Sequence, residues 1–379
     1  MNTLANKRKG FSTKILASLF RCVAWFVIKI FFRNKKQRIW MIGCGGERWG
    51  DNADAFWGYL NEEHSNLNAI AVVRKKAGAI DKSGNWIFKR TIQNYLYVFA
   101  SEALITTHSL YDLGPSILVD HSNATKVWLQ HGVTGLGKWP PYDQKLMKFD
   151  LICASSVREK QIMVEEMKLE AEKVAITGLA RHDRLRLKMA EGKREDILYM
   201  PTFRDWVTGE DKKMYQELLF SWVERYLADN HLLKLKIWLH PNWQKKGFEI
   251  NKSLKAHAID PKTDLQDILL QSELLVTDYS SVAFDAALAG IPVVFFQPDR
   301  KIYAERKGLF SDFVKQKDLL ITEDAGNLVE IIEKILSDKE YREYRLAKDR
   351  QWANQYVETF DGKCCERIFN EINVLVNDL

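Results

Sequence analysis

Short apolar runs alternate with helical patterns along almost the whole chain after residue 38. The first six runs predict buried strands near 39–42, 69–73, 103–106, 127–130, 151–154 and 174–177. A second series predicts strands near 197–200, 236–239, 274–277, 293–296 and 319–321. Repeated alternation of strand and helix is typical of parallel sheets with helices on both faces. The sequence therefore predicts an α/β protein built from two Rossmann-like domains.

The chain of 379 residues is long enough for two domains of ordinary size. We expect the first Rossmann-like domain at residues 38–190 and the second at 191–338. The boundary is predicted in the charged loop Met189–Glu195. Residues 339–379 are helical by pattern and contain no predicted strand, so they could cross back over the first domain.

Basic residues are concentrated at the start of the chain. Residues 1–38 contain ten Lys and Arg and no Asp or Glu, whereas the rest contains 46 basic and 50 acidic side chains. A nucleic-acid-binding protein more often spreads its basic residues over a folded face. The sequence therefore predicts no nucleic-acid partner and a local role for residues 1–37.

The segment Phe11–Phe32 has an apolar face and a narrower polar stripe that contains Lys14, Arg21 and Lys29. With basic residues on both sides, this pattern favours a helix that lies in the interface of an anionic membrane. A membrane-spanning helix or signal anchor, and a helix packed on the protein itself, are the alternatives. Five cysteines without CxxC spacing indicate a reducing compartment. We therefore expect a peripheral protein on the cytoplasmic face of the cell membrane.

The stretch TDYSSVAFDAALAGIPVV places Asp278, Ser280 and Ser281 between a predicted strand and a helix. Serine is favoured at the start of a helix, where free N–H groups attract anions. An ordinary helix cap is the alternative interpretation of this stretch. A phosphate held by Ser280 and Ser281 is the functional one.

Polar groups also follow other predicted strands. His240 follows the predicted strand near 236–239, in the stretch LHPNW. Thr202 and Arg204 follow the predicted strand near 197–200, in the stretch MPTFRDW. Ligands of open parallel sheets bind at the carboxyl ends of the strands. The repeated placement of anion-compatible groups at one sheet edge predicts a phosphate-binding edge, with Arg204 as a fork suited to phosphate oxygens.

In the first domain, QHG places His131 and Gly132 after a predicted strand. A histidine at this edge can act as a general base near neutral pH, and glycine allows close approach of a ligand. A turn histidine with a purely structural hydrogen bond is the alternative. His108 is a further histidine at a strand end. No Walker motif and no metal-binding spacing is present, so we expect neither a metal nor a cofactor.

Taken together, six stretches resemble the CDP-glycerol glycerophosphotransferases of teichoic acid and capsule synthesis. They occur in the family's order over residues 40–315: GERWGDNADAFWGYL, KVWLQHGVTGLGK, ITGLARHDRL, MPTFRDW, LHPNW and TDYSSVAFDAALAGIPVVFFQPDRKIY. The resemblance implies a GT-B-type fold, with two Rossmann-like domains and the active site in the cleft between them. It also implies transfer of glycerol phosphate from CDP-glycerol to a hydroxyl, with release of CMP.

The resemblance implies roles for individual residues. His131 matches the family's proposed base, and His240 matches its second essential histidine. The expected contacts to the CDP moiety or its phosphates come from nine residues: Arg181, Asp183, Gly132, Thr202, Arg204, Asp278, Ser280, Ser281 and Asp285. Ala180 departs from the family pattern, which usually has proline there.

The acceptor expected from the resemblance is an undecaprenyl-diphosphate-linked saccharide or a growing polyol-phosphate chain. The chain has the size of a primase that adds one unit. A CDP-ribitol-dependent transferase and a nucleotide-sugar glycosyltransferase of the same fold are the alternatives among enzymes. A nucleotide-binding assembly factor without catalytic activity is the alternative outside that class.

Overall fold

A computed structural model describes residues 38–45, 49–74, 84–138, 148–189, 193–229, 234–260 and 263–377. The basic amphipathic segment predicted at residues 1–37 lies outside the described residues. So do residues 190–192, on which the predicted domain boundary falls.

The first half of the chain forms a parallel sheet of seven strands. Their order is β3-β2-β1-β4-β5-β6-β7. The strands are β1 (Ile39–Gly43), β2 (Asn68–Val73), β3 (Trp86–Phe88), β4 (Ala103–Thr106), β5 (Thr125–Trp128), β6 (Leu151–Ala154) and β7 (Val174–Ile176). The strand order reverses between β1 and β4, and such a switch point opens a crevice at the carboxyl edge of the sheet.

The second half forms a parallel sheet of five strands in the order β12-β11-β10-β8-β9. The strands are β8 (Asp196–Met200), β9 (Lys234–Ile237), β10 (Ser272–Thr277), β11 (Val293–Phe296) and β12 (Ile321–Thr322). Its switch point lies between β8 and β10. This pair of parallel sheets confirms the expected GT-B-type α/β class with two Rossmann-like units.

Helices cover both sheets. They are α1 (Asp51–Glu63), α2 (Ile92–Ala100), α3 (Ser116–Val119), α4 (Val157–Glu165), α5 (Ala180–Lys188), α6 (Asp211–Asp229), α7 (Pro241–Lys245), α8 (Leu265–Leu270), α9 (Val282–Leu288), α10 (Arg300–Arg306), α11 (Ser311–Val314), α12 (Ala325–Ser337), α13 (Lys339–Asn354) and α14 (Cys364–Asn377). Helix α13 packs on α9 and α12, whereas α14 packs on α5 and β5 beside the first sheet.

The strands form because their residues are apolar on both faces. All five residues of β1, with sequence IWMIG, are buried, as are all four of β11, with sequence VVFF. Continuous apolar runs of this kind are typical of parallel strands that are covered on both sides. Helix α9 is buried along its whole length, so its acidic residue Asp285 must find partners inside the protein.

Several strands differ from the sequence prediction. β9 lies at Lys234–Ile237 rather than at 236–239, and β12 lies at Ile321–Thr322 rather than at 319–321. β3 was not predicted because it is a three-residue edge strand whose Trp86 and Phe88 remain partly exposed. β5 ends at Trp128 rather than at residue 130, because Gln130 has a left-handed backbone with φ of 63°. That turn releases the chain from the sheet immediately before His131.

Candidate active site between the two sheets

His131 pairs with an aspartate that begins the first helix. Its Nδ1 atom lies 2.7 Å from Oδ2 of Asp51. The backbone is left-handed at Asp51, with φ of 61°, and at Gln130, the residue before His131, with φ of 63°. Left-handed conformations of non-glycine residues cost free energy and concentrate at functional sites. Because Nδ1–H donates to the carboxylate, the basic nitrogen of a neutral His131 is Nε2.

Arg181 joins this pair to the second sheet. One guanidinium nitrogen lies 2.8 Å from Asp51, and the other lies 2.9 Å from Asp285 on α9. Burial alone would raise the pKa of Asp51, but Arg181 and His131 outweigh it and hold the pKa below its usual range. Burial likewise opposes the charge of Asp285, yet Arg181 lowers its pKa. An ionised chain of Asp, Arg and Asp therefore crosses between the two halves of the molecule.

Asp285 has a second partner in the same region. Its Oδ1 atom lies 3.0 Å from Nε2 of His182, which is fully buried. Asp285 was predicted as a donor-binding residue, and the structure places its carboxylate on Arg181 and His182 rather than in an open cavity. Its position indicates that it orients Arg181.

The QHG turn lies directly against the start of α9. A Cβ atom added to Gly132 would come within 2.1 Å of Oγ of Ser281 and 3.2 Å of the Arg181 guanidinium. Only glycine allows the two halves to approach this closely. The structure therefore brings together three predicted residues from separate motifs: Gly132, Arg181 and Ser281.

Ser281 precedes α9, but its side chain makes no capping hydrogen bond, so the predicted helix cap by this residue is absent. Oγ of Ser280 accepts a hydrogen bond from the backbone N–H of Val282 at 3.4 Å. Ser280 and Ser281 are half-buried at the edge where β10 ends. This placement leaves them suitable for contact with a ligand.

Two further histidines lie near His131. The ring of His108, which follows β4, is centred 4.2 Å from the ring of His131. Burial, with a contribution from His131, lowers the pKa of His108 to about 3 and that of His240 to about 4. Both are therefore neutral at pH 7. Nδ1 of His240 accepts a hydrogen bond from the backbone N–H of Asn242, which assigns the ring proton to Nε2.

The switch point of the second sheet is held by an ionic cluster. The backbone N–H of Thr202 donates to Asp278 at 3.0 Å, and Arg204 pairs with both Asp278 and Asp299. Arg204 is completely buried, and its guanidinium lies 5.2 Å from the ring centres of Tyr279 and Tyr303. Arg204 was expected to offer a fork to phosphate oxygens. In the structure the two aspartates occupy that fork and hold Arg204 in the loop, and its contact with phosphate stays a prediction.

Asp183, which is expected at the CDP moiety, lies against the start of the C-terminal helix. Its carboxylate accepts hydrogen bonds from the backbone N–H groups of Cys364 and Cys365, at 2.9 and 2.8 Å. These are the first residues of α14, whose free N–H groups attract a carboxylate. Asp183 therefore caps the C-terminal helix through both carboxylate oxygens, and its contact with the CDP moiety stays a prediction.

Two residues of the site were not singled out from the sequence. Asp51 pairs with His131, and the adjacent Asn52 donates to the backbone oxygen of Gln130 and accepts from the backbone N–H of Arg181. Both belong to the stretch GERWGDNADAFWGYL, one of the six that carry the resemblance, and neither was given a role from it. The signal was an Asp-Asn pair at the start of a helix after the first strand, where a sheet ligand is expected.

Among the described residues, no group of three His, Cys, Asp or Glu side chains could hold a metal ion. Within the same ranges, none of the helices has both the length and the apolar character needed to cross a membrane.

Comparison with known proteins gives the family. The model of the CDP-glycerol:poly(glycerophosphate) glycerophosphotransferases matches residues 24–374. The chain is 22% identical over 403 residues to the minor teichoic acid biosynthesis protein GgaB of Bacillus subtilis, covering 99% of this chain and 43% of GgaB. It is 23% identical to the teichoic acid glycerol-phosphate transferase of Staphylococcus aureus, covering 89% of this chain and 93% of that protein.

Other relatives are longer than this chain. It is 24% identical to the teichoic acid poly(ribitol-phosphate) polymerase of Bacillus spizizenii, covering 74% of this chain and 48% of the polymerase. The chain thus spans less than half of the length of that polymerase and of GgaB. The solved structure of the wall teichoic acid polymerase TagF has the same fold, with a TM-score of 0.73 and 17% identity over 100% of this chain and 98% of that one. The chain belongs to the CDP-glycerol:poly(glycerophosphate) glycerophosphotransferase family.

Proposed function

We propose that this protein transfers glycerol phosphate from CDP-glycerol to a hydroxyl group, releasing CMP, in the synthesis of teichoic acid or a capsular polymer. The observation that carries the proposal is the His131–Asp51 pair at the edge of the first sheet, beside the start of α9 on the second. An oriented histidine next to a group of anion-compatible side chains suits phosphoryl transfer, which depends on positioning and charge compensation.

The proposed step is an in-line displacement. The acceptor hydroxyl attacks the phosphorus that bears glycerol, and Nε2 of His131 takes the hydroxyl proton. A new P–O bond forms as the bond between this phosphorus and the CMP oxygen breaks. Asp51 keeps Nδ1–H of His131 in place and stabilises the imidazolium that results, as a carboxylate does in other Asp-His pairs.

The second sheet supplies the groups for the donor. Nε2–H of His240 is assigned as a hydrogen-bond donor to the phosphates, and the hydroxyls of Ser280, Ser281 and Thr202 line the same edge. Arg181 lies beside Gly132 and holds the carboxylates of Asp51 and Asp285 in place. Donors fixed in place before the reaction stabilise the charge that develops on the departing CMP. A solved structure of TagF obtained after a soak with CDPG supports CDP-glycerol as the donor.

We propose a lipid-linked acceptor, with an undecaprenyl-diphosphate-linked saccharide or a growing polyol-phosphate chain as the class. The protein would then work at the cytoplasmic face of the cell membrane, held to its anionic surface by residues 1–37. Deletion of residues 1–37 should abolish sedimentation with vesicles that contain phosphatidylglycerol. Unchanged sedimentation would contradict the membrane part of this proposal.

The donor is tested by identifying the product. The protein is incubated with a lipid-linked disaccharide and one of three donors: CDP-glycerol, CDP-ribitol or a UDP-sugar. Mass spectrometry should show addition of glycerol phosphate from CDP-glycerol, with CMP released in equal amount. CDP-ribitol is the second candidate donor, because relatives include ribitol-phosphate polymerases. A product formed only with a UDP-sugar would contradict the proposal, and the absence of any product with all three would favour a non-catalytic role.

A further inference from the structure

A cavity of about 460 Å³ lies at the carboxyl edge of the first sheet. It is away from His131 and its neighbours Asp51 and His108, which are called the His131 cluster below. It is lined by Lys89 and Arg90, which directly follow β3, and by Tyr95, Tyr111 and Ser116. Parallel sheets bind ligands at this edge. The volume falls in the range of small-molecule sites.

Positive charge exceeds negative charge around this cavity. Lys89 lies 3.6 Å from Asp112, but the same carboxylate also lies 3.5 Å from Arg74. Within the described ranges, the exposed guanidinium of Arg90 forms no ion pair. Burial lowers the pKa of Lys89, as do the nearby charges of Arg74 and Arg90, although Asp112 opposes them. One carboxylate therefore serves two cations, while a third has no counter-charge.

The other acidic residue of the cavity already has partners. Asp120 lies 3.7 Å from the ammonium of Lys148 and accepts a hydrogen bond from the hydroxyl of Tyr111. The backbone of Arg90 is fixed in a left-handed conformation, with φ of 65°, by a hydrogen bond from its N–H to Asn94. The cavity thus offers an exposed guanidinium on a fixed backbone and a largely buried ammonium to an anion.

The cavity is connected to the His131 cluster by one segment. His108 contacts the ring of His131, and the chain then continues through Tyr111 to Asp120 along the cavity wall. The carboxyl ends of β3 and β5 are four strand spacings apart in the sheet. With strands ~4.8 Å apart, the two sites are separated by roughly 15–20 Å. An extended ligand could therefore occupy both, with its reacting hydroxyl at His131.

We propose that this cavity binds a phosphate or diphosphate group of the acceptor, through Arg90 and Lys89, while the acceptor hydroxyl reaches His131. The inference rests on the proposed function, because it assigns a part of the acceptor. Its chemistry is recognition of a phosphate ester by a guanidinium and an ammonium, flanked by tyrosine rings. Arg90 is then a positioning residue, remote from the reacting atoms.

The first test measures binding without turnover. Inorganic pyrophosphate is titrated into the full-length protein by calorimetry, with CDP present to occupy the donor site. We expect saturable binding, weakened at least tenfold by Arg90→Glu and by Ser116→Asp. Ser116 is an exposed first residue of α3, where an acidic side chain is tolerated, so Ser116→Asp repels an anion without removing a cation. Arg350→Glu, at an exposed position of α13, is the control of equal charge change and should bind as wild type.

The second test separates the acceptor's phosphate from a membrane headgroup. Transfer from CDP-glycerol is assayed in detergent with a short-chain lipid-diphosphate disaccharide and with the same disaccharide lacking diphosphate. Arg90→Glu should raise KM about tenfold for the first acceptor only, with the KM for CDP-glycerol unchanged. Equal pyrophosphate affinity in Arg90→Glu and Arg350→Glu would overturn the inference. So would loss of vesicle binding with an unchanged acceptor KM. Failure of the wild-type protein to use CDP-glycerol would instead contradict the proposed function, and the calorimetric result would still stand.

Discussion

The Nδ1 atom of His131 and the Oδ2 atom of Asp51 are 2.7 Å apart, although the two residues are 80 positions apart in the chain. The contact fixes the ring of a partly exposed histidine. It also determines which nitrogen is basic, because Nδ1–H must face the carboxylate. The reaction proposed for this site depends on that orientation.

Replacing Asp51 with asparagine should therefore reduce kcat more than it affects donor binding. The amide removes the charge that stabilises a protonated His131, and we expect kcat to fall about 10–100-fold with KM for CDP-glycerol nearly unchanged. Steady-state kinetics provides the measurement. Asp54→Asn, in the same helix, is the matched control and should retain most activity, since Asp54 pairs with Trp49 and Arg184 instead. Equal losses in the two variants would count against the role of Asp51.

Gly132→Ala should separate the two halves of the site. The added Cβ would lie 2.1 Å from Oγ and 3.0 Å from Cβ of Ser281, so the turn or α9 must shift. We expect the free energy of unfolding to fall by about 1–3 kcal/mol, as in other overpacked sites. Urea denaturation checks this value. Combining Gly132→Ala with Ser281→Gly should recover most of the lost stability, and no recovery would mean that the clash lies elsewhere.

Arg204→Lys tests whether Arg204 supports the fold or contacts phosphate. Lysine lacks the planar fork that spans Asp278 and Asp299, so these buried charges would lose part of their compensation. We expect unfolding to become easier by about 3 kcal/mol. Arg158→Lys, whose bidentate contact to Asp312 is partly exposed, should cost less than about 1 kcal/mol. A stable Arg204→Lys protein with a higher KM for CDP-glycerol would restore the direct phosphate contact predicted from the sequence.

Acid should destabilise the protein through two histidines. The pKa values of His108 and His240 are lowered to about 3 and about 4, so the unfolded chain binds protons between pH 6.5 and 4 that the folded protein does not. Stability is thus complete above pH 6.5 and is lost as the pH falls towards 4, by roughly 1–3 kcal/mol for each residue. Urea unfolding at several pH values should show a smaller acid loss in His108→Asn and His240→Asn than in wild type. An identical pH dependence would contradict this assignment.

The sequence predicted the two parallel sheets well, because strands buried on both faces appear as uninterrupted apolar runs. It was also sufficient to place His131, Gly132 and Ser281 at strand ends. It could not show that Arg204 would be buried, since the partner Asp299 lies 95 residues away. The same limit applies to Asp183, whose partners begin a helix 181 residues later. Long-range ion pairs and caps leave no local periodicity, so local patterns identified the positions but not the partners.

The most direct test of the account is the transfer rate of His131→Ala with CDP-glycerol saturating. The variant should bind CDP-glycerol like wild type but release CMP and form product about 100-fold more slowly or worse, because the group that takes the hydroxyl proton is missing. Binding is measured by calorimetry and CMP release by chromatography on the same protein sample. Transfer at the wild-type rate under these conditions would contradict the central claim that His131 is the base.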